Sequence, residues 1–244
     1  EVTVTPTYSF KKWNGTEYVD ATAQAPKDAG KYQVTVTIPQ STNYSQTVLT
    51  KVFNITQKEL NVSFNKKEFV YGELSGTSDL KAETGASVTP IAGDSVDISI
   101  SLGTPQFTAN NYIRANTSGY SITATTTNGN YTLKVAEGDK LIINKKALTA
   151  DVVKLDTTSF TYDGSNKTVT VEATTAEGNK ISLTDDVQIG GTTEAINVKR
   201  NETTKAVEAY TVTVNAKNEG NYTGSVDLTW TIVPFELTDT NVTV

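Results

Sequence analysis

The chain has 244 residues, a formal net charge of -6 and a pI near 4.8, and it contains no cysteine and no histidine. This composition excludes disulfides, thiolate metal sites and a catalytic triad that needs histidine. An acidic chain is also not expected to bind nucleic acid, because such proteins carry a basic face that releases counterions. No apolar run is long enough to cross a membrane. We therefore expect no cofactor, no metal, no membrane insertion and no enzyme activity in this segment.

Residue types recur along the chain about every 88 residues. Tyr32, Tyr120 and Tyr210 are 88 and 90 residues apart. An asparagine, an isoleucine, a leucine and a Gly-Thr pair recur with nearly the same spacing, and we call these residues and the three tyrosines the landmarks. The further landmarks are Asn43, Asn130 and Asn221; Ile55, Ile143 and Ile232; Leu60, Leu148 and Leu237; Gly15, Gly103 and Gly191. A period of this length exceeds the ~20–50 residues of solenoid units and predicts tandem domains.

The landmarks divide the chain into four segments. Residues 1–57 are predicted to be a partial β-module, 58–146 and 147–235 complete β-modules, and 236–244 the first strand of a following module. If Gly15 is aligned with Gly191, Glu1 falls opposite Glu177, so the first module is expected to lack the part that corresponds to 147–176. The junctions are short and have no Gly/Ser-rich linker, which predicts semi-rigid connections.

The first module is predicted to consist of strands and tight turns. Val2–Thr5 alternates with the period of a strand. Tyr8–Trp13 and Thr16–Val19 flank Asn14-Gly15, a pair typical of a type I′ hairpin turn with positive φ at both residues. Two further strands are expected at Lys31–Thr37 and Val48–Ile55.

The second and third modules repeat this pattern. Ser75–Ser87 is expected to be an exposed insertion with at most one helical turn. In the third module, residues 160–164 and 167–171 are predicted to form a hairpin, and the final strand places Val226, Leu228, Trp230 and Ile232 on one face. Such alternation is typical of an antiparallel sheet with one face in the core. The predicted fold is all-β, a series of small antiparallel, immunoglobulin-like β-sandwiches, with a β-grasp-like module as the alternative.

Several short motifs resemble the MBG and YDG repeat families of bacterial surface proteins. They are Tyr162-Asp163-Gly164, Asp28-Ala29-Gly30-Lys31-Tyr32, Asn221-Tyr222-Thr223-Gly224-Ser225 and the module exits Lys146-Ala147-Leu148 and Glu236-Leu237. These families are small β-rich modules repeated in large secreted or wall-bound adhesins. The resemblance implies an extracellular location at the bacterial cell surface and brings no catalytic residues with it.

Few residues are candidates for binding. Trp13 and Tyr18 flank the first hairpin turn and could stack on a sugar ring, or they could simply pack across the two strands. The landmark tyrosines are expected to be core rings whose hydroxyls bond to nearby backbone, as in a tyrosine corner, and the landmark asparagines to occupy turns. The acidic residues Asp185-Asp186, and Asp151 with Asp156, do not form a calcium-binding loop.

The sequence thus predicts a structural role. Strands of about 8 residues make a module ~25–35 Å long, so the segment should be a rod on the order of 100 Å. Our first hypothesis is a stalk or spacer that presents a distal functional domain of a cell-surface or secreted adhesin. The alternative is an adhesive module that binds host or polysaccharide glycans, or surface proteins, through Trp13 and Tyr18 or an exposed strand edge.

Overall fold

The computed structural model describes residues 4–174, 180–181, 183 and 185–237. The regular secondary structure of these residues consists of strands, arranged in several sheets, and one short helix, which confirms the predicted all-β class. The first strands are β1 (Thr7–Trp13), β2 (Tyr18–Thr22), β3 (Gly30–Ile38) and β4 (Thr47–Ile55). The middle of the chain forms β5 (Lys58–Asn61), β6 (Glu68–Val70), α1 (Leu80–Thr84), β7 (Ser99–Leu102), β8 (Asn116–Thr125), β9 (Tyr131–Lys134) and β10 (Lys140–Asn144).

Most of the remaining strands are short, and the two long ones lie near the end of the chain. They are β11 (Lys146–Ala147), β12 (Val153–Leu155), β13 (Ser159–Thr161), β14 (Lys167–Thr168), β15 (Val171–Thr174), β16 (Lys180–Ile181), β17 (Val187–Gly191), β18 (Glu194–Ala195), β19 (Tyr210–Ala216), β20 (Tyr222–Thr223) and β21 (Ser225–Val233). The predicted opening strand is wrong where it is described, because Val4 lies outside any strand. Residues 2–3 and 238–244, to which the predicted first and last strands extend, lie outside the described residues.

The chain forms two compact units. The first comprises Glu1–Asn65, Leu80–Ser101 and Ile122–Asp139, and the second Lys66–Asp79, Leu102–Ser121 and Lys140–Val244. Strands β7 and β8 contribute residues to both. The module boundaries expected from the landmarks stay a prediction.

The first unit contains an antiparallel sheet of order β2-β1-β3-β4. Its aromatic residues pack together: the buried Tyr32 ring stacks on Phe53 at 5.6 Å, and Phe10 meets Phe53 edge-on at 6.3 Å. A second core cluster is built from Val62, Ala86 and Ile98.

The segment Ser75–Ser87 is not the exposed insertion that was predicted. Its helix α1 ends at Thr84, which is fully buried, and Ala86 belongs to the core cluster of the first unit. The Thr84 hydroxyl donates to the Leu80 carbonyl at 2.6 Å, which satisfies its polar group inside the core. The polar composition of the segment concealed these small buried side chains, because alanine and threonine fit a core without an apolar run.

The second unit contains a β-sandwich. One sheet has the order β13-β21-β19-β17, and another the order β12-β15-β16. Val212, Trp230 and Ile232 from the first of these sheets form a buried cluster, against which Leu155 and Val171 of β12 and β15 pack. Burial of these side chains is the main favourable contribution to folding.

The predicted hairpin between residues 160–164 and 167–171 is wrong. Strand β13 pairs in parallel with β21, placing Phe160 opposite Ile232, whereas β14 pairs antiparallel with β18. The Asp163-Gly164 turn therefore passes the chain from one sheet to another. This route places the Phe160 ring edge-on against Trp230 at 5.8 Å, a core contact that a simple hairpin would not provide.

Strand pairing confirms the tyrosine landmarks and corrects the glycine landmark of the first module. Tyr32, Tyr120 and Tyr210 lie opposite Phe53, Leu141 and Trp230, each two residues before a landmark isoleucine. In the third module Gly191 lies opposite Val212, two residues after Tyr210. The residue opposite the corresponding Val34 is Phe10 and not Gly15. The alignment of Gly15 with Gly191 is therefore wrong by five residues.

Candidate functional site

Trp13 and Tyr18 form the closing pair of the β1–β2 hairpin. They lie directly opposite each other, with ring centroids 5.0 Å apart and planes inclined at 60°. Both rings are half-buried. The structure thus brings the two predicted binding residues together, although as a tilted pair and not as a flat platform.

The turn between them differs from the predicted type I′ turn. The loop is four residues long, and of its residues only Gly15 has positive φ, at 106°. The side-chain oxygen of Asn14 accepts the backbone N–H groups of Thr16 and Glu17, both at 2.9 Å. This local bonding stabilises Asn14 at the start of a longer loop, because asparagine side chains readily bond to backbone two residues on.

A cation lies beside the aromatic pair. The ammonium nitrogen of Lys31 is 5.1 Å from the centroid of the Trp13 ring, within the range of a cation–π contact. An indole, a phenol and an ammonium group on one surface can stack on a sugar ring and bond to its hydroxyls. The assignment of Trp13 and Tyr18 as binding residues stays a prediction.

The landmark tyrosines bond to backbone as predicted. Their hydroxyls donate to carbonyls upstream in the same module: Tyr32 to Asp28 at 3.0 Å, Tyr120 to Arg114 at 2.9 Å and Tyr210 to Asn197 at 2.7 Å. The rings of Tyr32 and Tyr120 are buried, while Tyr210 is half-buried and stacks on Trp230 at 4.9 Å. Each tyrosine therefore holds the loop before its strand against the sheet.

The landmark asparagine of the second module bonds to the first module. Within the first unit, the side-chain oxygen of Asn130 accepts the backbone N–H of Ala29 at 2.7 Å. Its amide nitrogen donates to the Asp28 carboxylate at 2.9 Å. Its backbone carbonyl accepts the N–H of Lys58, the first residue of β5, also at 2.9 Å. One residue thus contacts both the loop before Tyr32 and the junction strand.

The same arrangement recurs in the second unit around Asn221. Its side-chain oxygen accepts the N–H of Ala115 at 2.8 Å, and its backbone carbonyl accepts the N–H of Lys146 at 3.0 Å. The backbone N–H and the amide nitrogen of Asn221 both donate to the buried Asp186 carboxylate, at 3.0 and 2.9 Å. We call Asn130 and Asn221 the junction asparagines.

A buried tyrosine follows each junction asparagine. Tyr222 packs edge-on against Tyr71 at 5.4 Å, and both rings are 2% exposed. Burial raises the pKa of both phenols above the usual range for tyrosine. In the first unit, Tyr131 donates to the Asp94 carboxylate at 2.5 Å, and this hydrogen bond raises the pKa of the Tyr131 phenol.

Sequence reasoning placed these asparagines in turns and missed their role at the junctions. The available indication was the recurrence of an Asn-Tyr pair once per module together with alanine after Asp28 and after Arg114. The equivalent pair of the first module, Asn43-Tyr44, is exposed, with Tyr44 at 63%.

Two of the four acidic candidates, Asp156 and Asp186, bond within the fold. Asp186 bonds to Asn221, and Asp156 accepts the N–H and the hydroxyl of Thr170 at 2.9 and 2.8 Å. Among the described residues there is no group of three or more acidic side chains placed to hold a metal ion. Within the same residues, no helix has the length and apolar character needed to cross a membrane.

The comparisons with known proteins do not assign the chain to a family. No family model matches the chain, and no curated protein matches it either. A solved structure, "PcdhgB3 EC1-4 in 50 mM HEPES", aligns with 96% of this chain and 66% of its own length at 11% identity and a TM-score of 0.20. A similarity at that level carries no argument, and the fold class rests on the strands and core described above.

Proposed function

We propose that this chain is part of a stalk that presents a distal domain of a bacterial cell-surface or secreted adhesin, built from immunoglobulin-like modules. The observation that supports the proposal is the repeated use of a junction asparagine. At two successive junctions the asparagine side chain bonds to a loop of the module before it, and the asparagine carbonyl bonds to the N–H of the residue that begins the strand at the junction, Lys58 or Lys146. A stalk transmits force and sets distance only if its joints resist bending.

The covalent junctions are short enough to support this. Strand β4 ends at Ile55 and β5 begins at Lys58, while β10 ends at Asn144 and β11 begins at Lys146. The residues between the strands also bond across the junction: Gln57 donates to the Gly129 carbonyl at 2.9 Å, and Lys145 donates to the Asn218 carbonyl. A flexible linker would need several unbonded residues at this point.

Small-angle scattering tests the stalk role. We expect the chain to scatter as a rod on the order of 100 Å long, from modules of ~25–35 Å. The double variant Asn130→Ala, Asn221→Ala should broaden the distance distribution by loosening both joints, while Asn43→Ala, an exposed residue at the same landmark, should not. A compact globule for the unmodified chain, or equal profiles for both variants, would contradict the proposal.

A second candidate function is carbohydrate binding at the Trp13–Tyr18 pair. The observation that favours it is the position of the Lys31 ammonium group 5.1 Å from the Trp13 ring, next to two half-buried aromatic side chains. A glycan array probed with the chain and with Trp13→Ala should show a signal that the variant loses. Tyr8→Ala is the matched control, because Tyr8 is an exposed aromatic residue of the same strand, at 49%. No signal from the unmodified chain rules this function out.

A further inference from the structure

The second module offers three groups to the Asn-Tyr turn that follows it. They are the N–H of Ala115, which bonds to the side chain of Asn221, the N–H of Lys146, which bonds to its carbonyl, and the ring of Tyr71, which covers Tyr222. We call these three groups the docking surface. It binds a carboxamide oxygen, a backbone carbonyl and an aromatic ring at the same time.

The third module carries an equivalent set. Tyr162 corresponds to Tyr71, because their N–H groups bond to the equivalent carbonyls of Val233 at 2.9 Å and Asn144 at 2.8 Å. Phe235 follows Val233 by two residues, as Lys146 follows Asn144.

Val198 completes the equivalent set. It follows Asn197, whose carbonyl accepts the Tyr210 hydroxyl, as Ala115 follows Arg114, whose carbonyl accepts the Tyr120 hydroxyl. The docking surface of the third module is therefore formed by Val198 N–H, Phe235 N–H and the Tyr162 ring.

This surface is open in the third module. Tyr162 is 37% exposed, whereas Tyr71 is 2% exposed, and Phe235 is 50% exposed. Neither Val198 N–H nor Phe235 N–H has a hydrogen-bond acceptor among the described residues. A cleft of about 760 Å³ is lined by these residues with others beside them: Tyr162, Asp163, Asn197, Val198, Pro234, Phe235 and Leu237. That volume is within the range of small-ligand sites and accommodates a tyrosine side chain.

We propose that this cleft binds the Asn-Tyr turn of a further module of the same kind, joined in tandem. In both units the occupant of the equivalent groups is the turn of the module that follows along the chain, which favours a tandem module over a separate partner. The incoming asparagine would accept Val198 N–H through its side chain and Phe235 N–H through its backbone. Its tyrosine would cover Tyr162. This assignment is independent of the stalk role, because it concerns the joint and not what the joint carries.

A chain extended by one module tests the proposal. In the extended chain, residues 1–236 are joined directly to a second copy of residues 148–237. This keeps the register, because Leu237 and Leu148 are equivalent landmarks. Amide hydrogen exchange measured by NMR should show Val198 and Phe235 at least about tenfold slower than in the original chain, since a bonded amide exchanges only on opening. Asn221→Ala placed in the added copy should abolish this protection, and Asn43→Ala should leave it unchanged.

Two results would overturn the proposal. The first is unchanged exchange of both amides while the added copy is folded, as judged by a second buried indole signal from its Trp230. The second is protection in the original chain that grows with protein concentration, which would assign the cleft to a separate copy. If the added copy does not fold, a cyclic peptide of residues 217–226 replaces it. Shifts of both amides that need the peptide's asparagine support the assignment, and unshifted amides refute it.

Discussion

The side-chain oxygen of Asn221 accepts the backbone N–H of Ala115 at 2.8 Å, although 106 residues separate the two in sequence. Asn130 makes the same bond to Ala29 across 101 residues. An asparagine can do this because its short side chain carries an acceptor and two donors on one planar group. The oxygen faces the preceding module while the amide nitrogen bonds to a carboxylate, Asp186 or Asp28.

Replacing Asn221 with alanine should destabilise the protein by about 2–3 kcal/mol, because the N–H of Ala115 loses its acceptor and the buried Asp186 carboxylate loses the side-chain amide donor. Urea unfolding measures the change. Asn43→Ala removes the same side chain at an exposed landmark and should stay within ~0.5 kcal/mol. Equal losses for the two variants would show that the junction bonds contribute nothing.

Gly191 should tolerate no side chain. It has φ of +80°, and a Cβ built there lies 2.4 Å from the Thr211 carbonyl oxygen of the neighbouring strand. Gly164 has the same φ with nothing within 4 Å. Gly164→Ala should therefore cost about 1 kcal/mol for backbone strain alone, and Gly191→Ala at least ~2 kcal/mol more, since β17 must move away from β19. Similar melting temperatures for the two variants would refute the steric explanation.

The all-β class and the tyrosine landmarks could be predicted because both depend on local chemistry. Alternating side chains define a strand with one buried face. A recurring tyrosine in a strand packs its ring on the sheet and needs a partner for its hydroxyl, and the hydroxyls of Tyr32, Tyr120 and Tyr210 all donate to nearby carbonyls.

The junctions could not be predicted in the same way. The side-chain oxygens of Asn130 and Asn221 accept backbone N–H groups of alanines, and a backbone donor leaves no mark in the sequence. Asn43 is followed by a tyrosine, as Asn221 is, and yet is exposed, so the Asn-Tyr pair alone does not reveal the contact. The Gly15 landmark misled for a related reason: Gly-Thr is frequent in turns, and strand pairing alone shows that Phe10 occupies the equivalent position.

Asp97 should titrate at unusually low pH. The N–H and hydroxyl of Thr127 and the hydroxyl of Thr126 donate to its carboxylate, and these bonds lower the pKa of Asp97 to about 2. Because this pKa lies below that of an unfolded aspartate near ~3.9, the carboxylate stabilises the fold above about pH 4 and the contribution disappears as pH falls toward 2. Asp97→Asn should flatten the acid limb of the stability profile.

Carboxyl NMR checks this value directly. Thr127→Val keeps the backbone donor and removes one hydroxyl donor, so the pKa of Asp97 should rise part of the way to its ordinary range. A carboxyl group of Asp97 that titrates near ~4 in the unmodified protein would contradict the hydrogen-bonding explanation.

Ionisation of the Tyr222 phenol should destabilise the fold at alkaline pH. Burial, followed by the neighbouring Tyr71 phenol and Asp186 carboxylate, raises the pKa of the Tyr222 phenol well above its usual range. The folded chain therefore retains this proton where the unfolded chain releases it, above about pH 10. The stabilisation is complete below that pH and falls as pH rises, so Tyr222→Phe should reduce the loss of stability in alkali while keeping the ring against Tyr71.

Urea midpoints and tyrosinate absorbance, followed through the alkaline range, measure the effect. Tyr44→Phe is the matched control, because it removes the same hydroxyl from a tyrosine that is 63% exposed and not buried. If Tyr222 ionised together with the exposed tyrosines while the protein stayed folded, the ring would not be buried at the joint. The packing of Tyr222 on Tyr71, and with it the ring contact assigned to the third module's cleft, would then be wrong.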